Sequence, residues 1–275
     1  MTKQNTDELR ETSRRMRIEI LRMLNRSASG HTGGSLSAAD IMAALYFRVM
    51  NHDPRNPSWP ARDRFVLSKG HGAPALYTAL AFSGYFDKSE LATLRQVGSR
   101  LQGHPDMRKT RGADASSGSL GQGLSIANGI ALGLRLDGNN ANVYVMLGDG
   151  ELQEGQVWEA AMSAAHYRLG KIIAIVDKNG LQIDGEVKKV MGVEPVDAKW
   201  RAFGWDVAEI DGHDFSEIVP ALESPRGKGF NDKPTVIIAR TIKGKGVSFF
   251  ENQARYHGVA PSNDELQRAL KELGG

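Results

Sequence analysis

An aspartate held between two glycines is the first sign of chemistry in this chain. Asp149 in LGDGELQEGQVWEA (147–160) follows an apolar run that reads as a buried strand. A tight turn calls for glycine but has no need of an acid inside it. Thirty positions on, Asn179 closes a second apolar run, and Leu181 lies on the turn that follows. In a parallel sheet, ligands gather at the carboxyl ends of the strands. Neighbouring strands would therefore bring the Asp149 and Asn179 side-chain oxygens and the Leu181 carbonyl to one edge. One carboxylate with neutral oxygens is a donor set for Mg²⁺ whose octahedron is completed by phosphate oxygens. The glycines allow close approach to a diphosphate, and the helix starting near Glu151 presents free N–H groups and its positive end. A lone GDG reads as a turn whose aspartate caps the next helix. The spacing to an asparagine-bearing strand end favours the metal–diphosphate reading.

The elements that must position these groups are legible. NVYVMLG (142–148) and KIIAIVDKN (171–179) are apolar and β-rich, and ELQEGQVWEAAMSAAHYRL (151–169) between them is helical. This is a βαβ crossover, the unit that joins neighbouring parallel strands. Strands apolar on both sides predict a sheet covered on both faces. RFVLS (64–68), WDVAEID (205–211) and PTVIIART (234–241) add strands, with SEIVPALES (216–224) a helix between the last two. The expected fold is α/β, a doubly wound, mainly parallel sheet with helices on both faces. Upstream, Asn5 with Glu8 three residues later marks a helix start. Leu9, Met16, Ile20 and Leu24 carry its apolar stripe to about Ser29. SGHTGGS (29–35) interrupts, and 37–50 reads as a mostly buried second helix. A Pro/Asn-rich loop covers 51–60, helix returns over 69–84, and DASSGSLGQG (114–123) is a small-residue loop opening a helix over 124–136. In the tail, Ser262 and Glu265 form a capping box. Leu266, Leu270 and Leu273 share one side, which predicts a short helix docked on the chain's own core. With no internal repeat or linker, residues 1–275 read as one domain with a helical extension at the start and a short helix at the end.

Bulk properties narrow the classes. The 275 residues are 40% hydrophobic and carry a net charge of +3 with both signs interspersed, so no basic stripe argues for nucleic acid. Cysteine is absent, which removes disulfides, thiolate nucleophiles and cysteine-ligated metal sites. No apolar run approaches the roughly 20 residues that span a bilayer, and the N-terminus lacks the apolar core of a secretory signal. The expectation is a soluble, cytoplasmic protein, with no membrane partner.

GDG (148–150), followed by Asn179 and LQIDG (181–185), resembles the thiamine diphosphate signature. The surrounding EGQVWEA and KNGLQIDG are similar to transketolases. So are SGHTGGSLSAADIMAALYF, DRFVLSKGHGAPALYTAL, QGHPD and GSLGQGL, in order along nearly the whole chain. The resemblance implies a thiamine diphosphate-binding fold, in its diphosphate-binding domain. It makes Asp149, Asn179 and the Leu181 carbonyl ligands of Mg²⁺, with Ca²⁺ and Mn²⁺ able to substitute. His31, His71 and His104 match the family's active-site histidines, which contact cofactor phosphate or sugar hydroxyls. Gly118, Ser119 and Leu120 match the segment that packs the cofactor, and Gly150 would donate its N–H to the diphosphate. Lys243 in TIKGKG and His257 in YHG match a cation and a late histidine found in one branch. Glu154 matches a position that links two active sites across the subunit interface, although an acid also suits a first helical turn.

Full-length family members carry, after this region, a pyrimidine-binding domain and a C-terminal domain. The resemblance therefore implies the N-terminal subunit of a split transketolase, inert alone. Its partner would be a C-terminal subunit with the pyrimidine-binding domain, in an α2β2 assembly. The expected reaction is transfer of a two-carbon ketol unit from a ketose phosphate to an aldose, as in pentose phosphate metabolism. The alternatives are a specialised ketol transferase in catabolism of an unusual sugar, and a non-catalytic cofactor-binding or regulatory subunit. Plain nucleotide binding is disfavoured because GxGxxG and P-loop motifs are missing.

Overall fold

The computed structural model describes residues 3–275. In chain order the strands are β1 (Arg64–Leu67), β2 (Val143–Gly148), β3 (Ile172–Lys178), the two-residue β4 (Leu181–Gln182) and β5 (Gly185–Glu186), β6 (Asp206–Asp211) and β7 (Thr235–Arg240). β4 and β5 pair antiparallel as a small hairpin. The other five form one sheet in the order β1-β2-β3-β7-β6, and every pair is parallel. The helices are α1 (Thr6–Ser27), α2 (Thr32–Ser37), α3 (Ala39–Ala44), α4 (Ala73–Ser83), α5 (Gln122–Leu136), α6 (Gly155–His166), α7 (Val187–Val190), α8 (Val196–Ala202), α9 (Phe215–Glu223) and α10 (Asn263–Leu273).

Side chains alternate across a strand, and the central strands are apolar in both directions. Tyr144, Met146, Ile173, Ile175 and Ile237 join a core with residues of α1, α3, α4, α9 and α10. Val143, Val145, Ile172, Ala174 and Ile238 join a second core with residues of α5, α6 and α8. The doubly wound reading is borne out. Because every strand of the sheet runs the same way, all five carboxyl ends lie along one edge.

The helix signals also hold at the termini. Asn5 accepts from the Glu8 N–H at 3.0 Å while Glu8 accepts from the Asn5 N–H at 2.7 Å, and Ser262 and Glu265 do the same for α10. Leu266 and Leu273 are buried and Leu270 packs beside them, so α10 docks on the chain's own core.

Several boundaries differ from the sequence reading. The interruption after α1 is short, because Thr32–Ser37 is already helical despite Gly33 and Gly34. Burial of all six residues of α2 outweighs the weak helix propensity of glycine. The helix read over 37–50 is α3 followed by a wide five-residue turn, Leu45–Val49. The helix read from 151 starts as a tight 3₁₀ turn, Gly150–Gln153, before α6. The β4–β5 hairpin, α7 and α8 had no periodicity long enough to show.

Candidate active site

The ends of the two central strands carry the predicted metal ligands. Asp149 follows β2 and Asn179 follows β3, and Gly148 pairs in register with Asp177. Asp149 is 3% exposed. Its Oδ1 accepts the Gly150 N–H at 2.9 Å and its Oδ2 the Gly180 N–H at 2.6 Å. The Gly150 N–H is therefore used inside the turn. Asn179 Oδ1 accepts from the Leu181 N–H at 3.1 Å, and the Leu181 carbonyl accepts from Lys243 Nζ at 3.2 Å. Burial, with the Asp177 charge adding to it, pushes the Asp149 carboxyl up to about 6 against the pull of its N–H donors and Lys243. A cavity of about 440 Å³ opens beside Asp149, Asn179 and Leu181. Among the described residues no three His, Asp or Glu converge as a metal-ligating group. A set of one carboxylate, one amide and one main-chain carbonyl remains, suited to a hard cation that shares its shell with phosphate.

Four of the seven histidines converge on this edge. His31 lies 5.3 Å from His71, 5.6 Å from His257 and 6.2 Å from His104 between ring centres, and His71 stacks on His257 at 5.0 Å. Lys243 Nζ approaches His257 Nδ1 at 3.0 Å. Burial, then the nearby cations Arg95, Lys243 and Lys69, brings His31 down to about 4. Burial followed by Lys243 brings His257 to about 3, and His71 and His104 are lowered mainly by burial. All four are neutral imidazoles near pH 7, each able to donate at one nitrogen and accept at the other. Lys243 is itself brought to about 8, first by burial and then by Lys69.

The depressed histidines have a stability consequence. The unfolded chain protonates these imidazoles near 6.5, whereas native His31 and His257 resist to about 4 and about 3. The unfolded state thus binds more protons below pH 6.5, so their contribution is present above that pH and is lost as pH falls. Asp149 acts in the opposite sense between about 6 and 4. The difference between wild type and a His31→Gln/His257→Gln variant isolates the histidines. Urea unfolding from pH 7 to 4.5 should show a shallower acid loss in the variant, and parallel curves would refute the assignment.

The remaining predicted residues are more dispersed. Gly118 has φ +137°, where L side chains are strained, and a Cβ there would sit 2.9 Å from the His104 ring. Ser119 and Leu120 face outward, with Leu120 37% exposed. Glu154 is exposed at the start of α6. Gly118 thus packs directly on His104, whereas Ser119, Leu120 and Glu154 are exposed. His31 Nδ1 and Ser117 Oγ are buried and find no hydrogen-bond partner among the described residues. Unpaired polar atoms in a polar site fit a place made for a ligand with donors and acceptors of its own.

Three further groups were missed. Lys69 and Asp177 form an ion pair, 1% and 0% exposed. Lys69 also donates to the Gly34 carbonyl at 2.8 Å. Asp177 accepts from Ser37 Oγ at 2.7 Å and from the Thr241 hydroxyl. Burial alone would raise its carboxyl, yet Lys69 and these donors outweigh it and hold the group below its usual range. Asp40 accepts two bonds from Arg17 and one from His213 Nδ1 at 2.7 Å, while the Ile242 N–H donates to His213 Nε2 at 2.8 Å. That chain ties the loop after β6 to the loop bearing Lys243. Glu151 is buried under the Asp149 turn. The signal for Asp177 was present: an acid in IIAIVDK, a strand apolar on both faces, requires a buried partner.

The chain is similar to known proteins along nearly its whole length. Residues 9–275 match the family described as transketolase, thiamine diphosphate binding domain. The chain is 48% identical over 273 residues to the 6-deoxy-6-sulfo-D-fructose transketolase subunit SqwG of Clostridium sp. (strain MSTE9), covering 99% of this chain and 98% of that protein. It is 44% identical to an apulose-4-phosphate transketolase subunit of Actinobacillus succinogenes, covering 97% and 96%. The crystal structure of transketolase from Campylobacter jejuni superposes with a TM-score of 0.91 at 35% identity, covering 98% of this chain but 43% of that one. The chain belongs to the transketolase family of transferases, as its N-terminal, thiamine diphosphate-binding part. It is matched end to end by relatives that are themselves named as subunits.

Proposed function

We propose that this chain is the cofactor-anchoring subunit of a two-chain transketolase, transferring a two-carbon ketol unit from a ketose phosphate to an aldose. The observation that carries the reading is the convergence of four neutral imidazoles on the sheet edge that bears Asp149, Asn179 and Leu181. Asp149, Asn179 and the Leu181 carbonyl would hold Mg²⁺, with Ca²⁺ or Mn²⁺ as substitutes. The diphosphate would lie against that ion, His71, Lys243 and the 118–120 loop. When bound, thiamine diphosphate supplies the electron sink for breaking and making the carbon–carbon bond. The chain's own part is orientation and proton handling. His31, His104 and His257 would accept protons from sugar hydroxyls and return them, a duty neutral imidazoles perform in both directions.

The partner would be a subunit carrying the pyrimidine-binding domain. An outward surface of small and apolar residues is consistent with assembly, including self-association as α2β2. On α5 it presents Gly129, Gly133 and Leu136, the last 88% exposed, and on and just after α6 Met162 at 56% and Tyr167 at 50%. The exposed Ser119, Leu120 and Glu154 lie at the start of the same two helices. The compartment we assign is the cytoplasm, where charged sugar phosphates are retained; among the described residues no helix is long and apolar enough to cross a membrane. The two subunit relatives favour a donor from the catabolism of an unusual sugar, since their names specify a sulfonated fructose and apulose 4-phosphate.

The test is reconstitution. The chain is mixed with its pyrimidine-domain partner, Mg²⁺ and thiamine diphosphate, and ketol transfer is followed from ordinary ketose phosphates, apulose 4-phosphate and 6-deoxy-6-sulfofructose. Turnover should need both chains, and His31→Ala should lower it by about 10²–10⁴-fold, the usual worth of a placed acid–base group. Strong turnover by this chain alone would sink the two-chain reading. Cofactor binding without turnover in any mixture would favour a regulatory role.

A further inference from the structure

Glu151 has no part in the chemistry described so far, yet it is 3% exposed and lies two residues after Asp149. It accepts three hydrogen bonds from three separate segments. Oε2 accepts the Gly148 N–H at 3.0 Å, and Oε1 accepts the Gly121 N–H at 2.9 Å and the Ser68 hydroxyl. All three donors are neutral. Burying a carboxylate among neutral donors carries a large desolvation cost, so packing alone does not explain an acid here.

The three donors share one property. Ser68 directly precedes Lys69–Gly70–His71, Gly121 directly follows Gly118–Ser119–Leu120, and Gly148 directly precedes Asp149. One carboxylate thus joins the loop of the phosphate-side histidine, the loop expected to pack the cofactor, and the turn of the metal carboxylate. The backbone is built for that closeness, since a Cβ at Gly123 would run into the Ser68 side chain. We infer that Glu151 is a positioning residue, a clasp that sets the relative placement of the three cofactor-binding loops. The inference rests on the proposed cofactor site. A carboxylate is needed because both of its oxygens accept, whereas glutamine must turn its NH₂ group toward one set of N–H or O–H donors.

The experiment uses the full chain in complex with its pyrimidine-domain partner, with Mg²⁺ saturating. It measures the thiamine diphosphate Kd by fluorescence titration, the cofactor KM and kcat, and the Tm of the ligand-free chain. Glu151→Gln should weaken thiamine diphosphate binding about 10–100-fold, the loss typical when a group supporting a ligand shell is removed. The cofactor KM should rise more than kcat falls. Ser68→Ala removes a single donor, keeps the chain folded and should give a smaller loss in the same direction. Asp63→Asn is the control: Asp63 is a 1% exposed carboxylate at the opposite edge of the sheet, accepting from the Asn51 and Asn142 N–H groups, the Asn142 amide and Arg226 at 2.8 Å. It should lower Tm and leave the Kd unchanged. Wild-type Kd in both Glu151→Gln and Ser68→Ala would overturn the inference while leaving the cofactor site intact. A wild-type complex that binds no thiamine diphosphate would instead overturn the proposed function, and this inference with it.

Discussion

Asp149→Ala should leave the chain folded and unable to retain thiamine diphosphate in the presence of Mg²⁺. The carboxylate is buried, and burial together with Asp177 disfavours its charge. Two backbone N–H groups offset part of that cost. Such a group is a burden on the ligand-free fold and an asset only to a cation, so its removal should change Tm little or even raise it. That pattern is the common trade between site function and stability. Affinity should fall at least 10²-fold, because the one anionic donor of the set is lost. Asn179→Ala should weaken Mg²⁺-dependent binding to a smaller extent, since it removes a neutral oxygen. Titration calorimetry with and without Mg²⁺ decides the matter. Retained metal-dependent affinity in both variants would show that the cation is held elsewhere.

The second large effect is on stability. Lys69→Met should cost about 3–5 kcal/mol, the range for stripping one partner from a buried ion pair. It strands Asp177, 0% exposed, with the Ser37 and Thr241 hydroxyls as its remaining side-chain donors among the described residues. Against a total stability of about 5–15 kcal/mol, that is a severe loss. Lys69 also fastens α2 through the Gly34 carbonyl, so His31 at the start of α2 should loosen as well. A Lys69→Met/Asp177→Leu double variant should recover much of the stability, because an apolar pair of similar volume carries no desolvation cost. It should not recover cofactor affinity. Urea unfolding of the four members of the cycle measures the coupling. A cost below about 1 kcal/mol for Lys69→Met would mean that the pair does not hold these elements together.

Much of this was legible because it follows local rules. Strands β2 and β3 announce themselves by apolar runs, Val143–Leu147 and Ile172–Val176, and a polar residue, Asp149 or Asn179, stands just past the end of each strand. Both terminal helices announce themselves by reciprocal caps. The convergence of His31, His71, His104 and His257 was not visible in spacing, since they lie in four loops far apart in the chain; only the resemblance brought them together. Lys69–Asp177 and Glu151 were missed for a related reason. Their partners come from non-adjacent segments, and an acid near a turn looks solvated until the burial of its surroundings is known. Helix α2 was hidden by two glycines whose helical conformation is imposed by tertiary burial.

The surface of small and apolar residues along α5 and α6 bears on how such a chain would be sorted in a crowded cell. Charged patches give protein pairs much of their selectivity, by repelling the wrong partner as well as steering the right one. Gly129, Gly133, Leu136 and Met162 offer little of that information, so the exposed Glu154, Glu159 and Arg168 on and beside α6 would have to supply it. In the proposed assembly, fidelity among related two-chain enzymes would then rest on those few charges and on the fit of contours, and exchanging the charges would be a practical route to hybrid pairs.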